Sequence, residues 1–386
     1  MKKNEYRVAI VVDPLFKYGG AEKELQSILK AFPNSTLFTA FYDNDFVKKY
    51  FPNIEVKASF MQYMPGKFKL RYVLQLVQPL AYRSFKYSGY DCILSMSIGF
   101  AKYTNGNVPH IDICLSPTKF FWEKDGRSLK SNEQLSGINR VMYRFYSFFE
   151  DTGLERLWKK WDKNAARNVD RMIAISKVVQ KRISKYYERD SDVIYPPVDV
   201  KDIIKSTKNS RKENWFLYLG RIETYKGVEL AIRAAVDARV PLKVAGVGDD
   251  LDRMKDLVKE LNAKGYVKFL GFVSDEEKID LLSRAKALVF PVNGEDFGIV
   301  PVEANAAGTP VIAYRDGGVV ETVSDTNPKT GVFFDKYDYK ALSKVLKNFD
   351  GRAYRGDNCR KQASEFAEEI FIYKLQRYVE DCLQGN

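Results

Sequence analysis

Between Trp215 and Phe334, short apolar runs alternate with amphipathic stretches of helical period. Trp215–Leu219, Leu242–Ala245, Val267–Leu270, Ala287–Phe290, Pro310–Ala313 and Val332–Phe334 read as strands. Lys226–Ala238, Asp250–Leu261, Asp275–Ala285, Pro301–Ala307 and Gly317–Val323 read as helices. A strand that stays apolar without alternating is covered on both faces, the mark of a parallel sheet with crossover helices. This pattern commits the region to an α/β fold.

The chain opens in the same way. Arg7-Val-Ala-Ile-Val-Val12 is a buried strand by pattern, and after a loop Gly19-Gly20 starts a helix reaching about Phe32. Further strands are expected near Thr36–Phe41, Asp91–Ser95, Ile111–Leu115 and Met172–Ile175, and residues 139–187 are otherwise helical in pattern. Tyr195-Pro196-Pro197 breaks any helix or central strand and marks a boundary. The polar run Lys201–Asn214 reads as a short linker with a helical turn, and 359–383 as one long helix. A length of 386 residues suits two or three domains. Two Rossmann-like halves imply a cleft, with ligand-binding groups just after the strands.

Composition narrows the chemistry. Lys and Arg total 62 against 50 Asp and Glu, a net charge of +12, which favours anionic partners: phosphorylated small molecules, an anionic membrane surface or nucleic acid. Nucleic acid is set aside, because the basic residues are spread along the chain and no RNP, zinc-knuckle or helix-turn-helix signature appears. A single histidine, His110, excludes a multi-histidine metal centre and limits triad chemistry. Cys92, Cys114, Cys359 and Cys382 lie far apart without a CxxC and read as reduced cytosolic thiols. Polar Asn4 to Arg7 stand where a secretory leader places its apolar run, and no apolar run approaches the ~20 residues of a bilayer span. A cytoplasmic protein is expected, peripheral to the membrane at most.

Three glycine-bearing turns carry the candidate chemistry. Gly19 and Gly20, between strand and helix, suit an anion held on free N–H groups, although the turn is not a GxGxxG. Arg221 and Lys226, five apart after the Trp215–Leu219 strand, can point the same way and hold a diphosphate as its charge develops. Glu295-Asp-Phe297-Gly298-Ile299-Val300-Pro-Val-Glu303 is the sharpest signal. The N–H groups of Gly298, Ile299 and Val300 precede a helix, and two carboxylates eight apart straddle the turn, one for sugar hydroxyls and one for a ribose.

On these residues, with Ile194-Tyr-Pro-Pro-Val-Asp199 and the stretch from Glu295 to Gly308, the chain resembles the retaining glycosyltransferases of family four. Within them it is similar to the O-antigen and capsule mannosyltransferase branch. The resemblance covers nearly the whole chain and is tightest over 170–325. It implies the GT-B fold, two Rossmann-like domains facing across a cleft, with a C-terminal helix crossing back to the first domain. The domains would then be 1–196 with 365–386, and 197–364. It implies that Arg221 and Lys226 bind the donor diphosphate, that Glu295 contacts the donor sugar and Glu303 the ribose, and that Gly271-Phe272-Val273 lies against the base. The branch carries two histidines where this chain has Ile98 and Leu115, the second of them a donor-sugar contact. His110, five residues before Leu115, is a core histidine or a substitute.

The expected activity is transfer of mannose or another hexose from a nucleotide-diphosphate sugar to a glycan or lipid-linked acceptor, with no cofactor and no metal. GDP-mannose is the favoured donor and a UDP-sugar the runner-up. Asp43-Asn-Asp45, Asp190-Ser-Asp192 and Asp250-Leu-Asp252 read as helix caps or turns, not as metal-binding DxD motifs. Phe60 to Tyr87 mixes aromatic and basic residues and is either an anionic-membrane face or an amphipathic packing segment. The polar loop Lys124–Asn139 is a candidate to order over the acceptor. A non-catalytic sugar-nucleotide- or glycan-binding protein and a UDP-sugar epimerase remain alternatives.

Overall fold

A computed structural model describes residues 6–70, 73–123 and 154–385. The chain divides into two compact units, Met1–Tyr195 with Ile372–Asn386, and Pro196–Phe371.

The first unit is built on a parallel sheet ordered β3-β2-β1-β4-β5-β6-β7. Its strands are β1 (Val8–Val12), β2 (Thr36–Thr39), β3 (Val56–Ala58), β4 (Cys92–Ser97), β5 (His110–Cys114), β6 (Arg171–Ala174) and β7 (Asp192–Val193). Every residue of β1, β2, β4 and β5 is buried, as expected of strands covered on both faces. β1 pairs with β2 on one side and β4 on the other, with Val8 opposite Cys92 and Val12 opposite Met96. The strand order therefore reverses between β1 and β4, a topological switch point. The fully buried Tyr82 packs in the core beside Phe38 and Tyr103 and donates its hydroxyl to the Val12 carbonyl at 2.8 Å.

The second unit repeats the plan with a parallel sheet ordered β10-β9-β8-β11-β12-β13. Its strands are β8 (Phe216–Leu219), β9 (Leu242–Ala245), β10 (Val267–Gly271), β11 (Ala287–Phe290), β12 (Val311–Tyr314) and β13 (Gly331–Phe334). β8 pairs with β9 and β11, so the reversal lies between β8 and β11. The Val228–Ala238 helix buries Val228, Ala231, Ile232 and Ala235 against this sheet, at the spacing of one helical face.

The structure departs from the sequence reading in several places. The 359–383 stretch is two helices, Gly356–Ser364 and Glu368–Leu383. Between them Val198 donates to the Phe366 carbonyl at 3.0 Å and accepts from the Glu368 N–H at 3.2 Å, diverting backbone groups that a continuous helix would use. The supposed linker holds the helix Val200–Thr207, which buries Val200, Ile203 and Thr207. The short strands β3 and β7 and the helix Tyr339–Asn348 were not expected from the pattern. Phe60 to Tyr87 is not a single face: Phe60 and Tyr63 are exposed, Tyr82 is in the core, and Phe85 packs on Phe38 with ring centroids 5.2 Å apart. Arg71, Tyr72, the Lys124–Asn139 loop and the helical pattern over 139–153 lie outside the described residues.

Candidate functional site

In the second unit the loops that leave β8 and β11, on either side of the switch point, carry the candidate groups. The chain leaves β8 through Gly220 to Arg221, makes a short 3-10 turn at Thr224–Lys226, and enters the Val228–Ala238 helix. The loop after β11 runs to Gly298, whose φ of 92° is left-handed and open to glycine without strain. Gly298 is the N-cap of the Ile299–Ala306 helix and offers no side-chain cap, so the first N–H groups there lack a capping side chain. The β12 loop braces this segment. Asp316 Oδ2 accepts from the Gly294 N–H at 2.8 Å, and the Gly318 N–H donates to the Glu295 carbonyl at 2.7 Å. A Cβ on Gly317 would stand 2.5 Å from that carbonyl, so only glycine permits the approach.

This scaffold brings three of the expected residues together. Lys226 Nζ lies 2.6 Å from Glu295 Oε2, and both side chains keep about a fifth of their surface exposed, 20% and 21%. Arg221 is exposed and donates to the Tyr225 hydroxyl at 2.6 Å, while the Lys226 ammonium sits 5.3 Å from the Tyr225 ring centroid. Tyr225, which the motif reading passed over, thus lies against both cations. Glu303, on the second turn of the Ile299–Ala306 helix, is 3% exposed and accepts from Lys278 Nζ at 2.8 Å. Gly271 and Val273 flank Phe272, which is 78% exposed. Phe297 does not face solvent. It is buried and packs edge-on against Phe366, with ring centroids 5.5 Å apart.

The remaining expected residues belong to the first unit. Gly19 is the N-cap of the Gly20–Ala31 helix without a side-chain cap, and Glu22 turns back to its backbone N–H. Burial raises the Glu22 carboxyl above its ordinary range, against the opposing pull of these backbone hydrogen bonds. Leu115 is nearly buried behind β5, and Ile98 is exposed. His110 is a core residue: its Nε2 lies 2.7 Å from Ser95 Oγ, which donates to Asp112 Oδ1 at 2.6 Å. Ser97 donates to the other Asp112 oxygen at 3.0 Å. The Ser95 hydroxyl has one proton and gives it to Asp112, which assigns the proton to His110 Nε2. Burial pushes His110 down to about 4 and Asp112 up to about 6.

Pattern reading also passed over Asp13, just after β1. Its carboxylate accepts from four successive backbone N–H groups, Ile98, Gly99, Phe100 and Ala101, at 2.8–3.1 Å. Of the DxD triplets, Asp43 caps the Asn44–Tyr50 helix and Asp192 accepts from the Tyr378 hydroxyl. No cluster of three or more metal-ligating His, Cys, Asp or Glu side chains occurs among the described residues.

In open parallel α/β sheets a topological switch point is where ligands bind, and these charged, glycine-hinged loops lie at one. Residues 199–365 match the family model described as Glycosyl transferases group 1. An uncharacterized glycosyltransferase of Methanocaldococcus jannaschii is 33% identical over 176 residues, 42% of this chain and 45% of that protein. The D-inositol 3-phosphate glycosyltransferase of Corynebacterium kroppenstedtii is 27% identical over 247 residues, 56% of this chain and 54% of that protein. The chain thus spans about half the length of the curated relatives it matches. Anabaena HepE in complex with UDP superposes with a TM-score of 0.66 at 19% identity, covering 97% of this chain and all of that one, 100%. Sucrose-phosphate synthase from Thermosynechococcus elongatus gives a TM-score of 0.69 at 18% identity, with 97% and 100% coverage. These likenesses establish the fold as two Rossmann-like domains of the GT-B type.

Proposed function

We propose that this protein is a glycosyltransferase that moves a hexose from a nucleotide-diphosphate sugar to a glycan or lipid-linked acceptor, with retention at the anomeric carbon. The observation that carries the reading is the Arg221–Lys226–Glu295 group at the β8/β11 switch point, beside a helix start with no side-chain cap. In this reading Arg221 and Lys226 take the diphosphate, Glu295 turns to the sugar hydroxyls, and Glu303 serves the ribose. Phe272, exposed beside Gly271, lies against the base. The bond from the anomeric carbon to the phosphate oxygen breaks, and the acceptor oxygen forms its new bond on the same face. The acceptor's proton passes to the departing phosphate oxygen. The protein contributes placement and positive charge, the latter from two side chains where other enzymes use a metal ion.

For the donor, GDP-mannose is favoured by the branch resemblance. The human alpha-1,3/1,6-mannosyltransferase is 29% identical over 223 residues, 50% of this chain and 53% of that protein. HepE, solved with UDP, supports a UDP-sugar as the second choice. No described helix is long and apolar enough to cross a membrane. Exposed Phe60, Tyr63, Leu70 and Leu80 offer apolar contacts for peripheral attachment to an anionic surface, the setting a lipid-linked acceptor requires.

The reading is tested by nucleoside diphosphate release from a panel of sugar nucleotides, with thermal shift as the binding readout. Arg221→Ala and Lys226→Ala should each slow release by about 10²–10³-fold while the fold is retained. Undiminished turnover in both variants would falsify the assignment. Binding without release would leave a sugar-nucleotide-binding protein in its place.

A further inference from the structure

Lys278 lies outside the Arg221–Lys226–Glu295 group and meets the second carboxylate of the motif. It is the fourth residue of the Asp275–Arg284 helix, and its Nζ is 2.8 Å from Glu303 Oε1 and 2.9 Å from Asp275 Oδ1. The start of that helix is fixed. Ser274 Oγ accepts from the Glu277 N–H at 3.2 Å, and the Glu277 carboxylate accepts from the Ser274 N–H at 2.8 Å. Gly271-Phe272-Val273 immediately precedes this cap, so Lys278 is held about one turn from the loop that carries the exposed Phe272.

Glu303 is 3% exposed, so little water reaches its carboxylate and its direction is set by the contact with Lys278. Burial works against the charge of Lys278, but Glu303 and Asp275 outweigh it and hold the ammonium above the ordinary lysine range. Lys278 is therefore a fixed cation at neutral pH, anchored at both ends of its reach. A carboxylate held in one orientation can accept from two vicinal hydroxyls.

We propose that Lys278 is a positioning residue that holds Glu303 aimed as the acceptor for ribose hydroxyls, so that the site selects a ribonucleotide over its 2′-deoxy counterpart. The inference rests on the nucleotide-sugar reading and adds to it a residue from a different helix.

The test compares UDP with 2′-deoxy-UDP, and GDP with 2′-deoxy-GDP, by calorimetric titration of the full chain. The wild type should favour the ribose form of the diphosphate it binds by about 10- to 100-fold, the range of a hydrogen bond to a charged group. Lys278→Met should collapse that preference towards unity by weakening the ribose form alone. Lys278→Gln, which keeps a donor and removes the charge, carries the same test if the Met variant does not fold, and Lys278→Arg should restore most of the preference. Recovery of the preference with arginine but not with glutamine or methionine separates this role from a merely structural one. An unchanged preference in folded Met or Gln variants, with Glu303→Gln losing it, overturns the role of Lys278 alone. Absence of saturable binding of either diphosphate to the wild type overturns the nucleotide-sugar reading and this inference with it.

Discussion

Each sheet has a switch point, and at each one a carboxylate ties together the two loops that leave it. In the first unit Asp13, after β1, accepts from four N–H groups of the segment after β4. In the second unit Glu295, after β11, meets Lys226 of the loop after β8. The partners differ in kind. Backbone amides cannot turn away without unfolding their loop, whereas a lysine on a flexible stem can exchange its carboxylate for a phosphate. The first unit extends the same habit inward. Asp162, fully buried, pairs with Lys102 at 2.9 Å and accepts from Tyr103, Thr118, Trp122 and Tyr187. Polar groups in the first unit serve its architecture, and in the proposed function those at the second unit's switch point exchange partners when a diphosphate binds.

The largest expected effect breaks the architectural side. Asp162→Ala leaves the Lys102 ammonium buried without its counter-charge and removes the acceptor of Tyr103, Trp122 and Tyr187, and should cost about 3–5 kcal/mol, read by denaturant unfolding of the first unit's transition. A loss near zero would mean that water replaces the carboxylate and that the network carries no fold. Next comes Asp13→Ala, which removes charge-assisted bonds to a turn with no other acceptor in place. About 1.5–3 kcal/mol is expected, with hydrogen exchange accelerated at Ile98 to Ala101. Unchanged exchange at those amides would show that the turn holds its shape unaided.

How much of this was legible in the sequence follows the same division. The strands β9 and β11 were read to the residue, because parallel strands are short apolar runs framed by glycine and helix caps. The short edge strands β3 and β7 were missed, since three and two half-exposed residues carry no period. The break at residues 365–367 was also invisible. It is imposed by pairing with Val198, more than 160 residues earlier, and local propensity favours one continuous helix. At the site, Arg221, Lys226 and Glu295 were legible because each sits in a loop whose glycines announce it. Lys278 was not, since a lysine in an amphipathic helix reads as solvated until its partner on another helix is placed. Asp13 was passed over for the same reason: its four donors come from a loop some 85 residues away.

A third effect concerns pH. Glu24, on the Gly20–Ala31 helix, is 3% exposed with Oε1 unpartnered, and burial pushes its carboxyl up to about 8 from 4.5. The folded state therefore keeps a proton that the unfolded chain releases from about pH 4.5 upward. Glu24 accordingly withdraws stability as pH rises between those values and has no further effect above about pH 8. Glu24→Leu should stabilise the protein by roughly 1–3 kcal/mol at pH 8.5 and much less at pH 5, read as melting temperatures against pH. An equal gain at both pH values would mean packing, not ionisation, sets the difference.

The smallest effect sharpens the exchangeable side. Lys226→Ala removes an ion pair that is a fifth exposed on both partners, so water screens what is lost and Glu295 can rotate into solvent. Its cost in stability should stay within about 1 kcal/mol, against several for Asp162→Ala, while donor turnover falls by orders of magnitude. The two variants together form the decisive pair: each breaks a lysine–carboxylate contact under 3 Å, one by removing the lysine and one the carboxylate, and burial and the number of further donors set the expected difference. If Lys226→Ala destabilised the second unit as much as Asp162→Ala does the first, the Lys226–Glu295 contact would be architecture too. A donor diphosphate would then have Arg221 but not Lys226 to meet it without disturbing the loop.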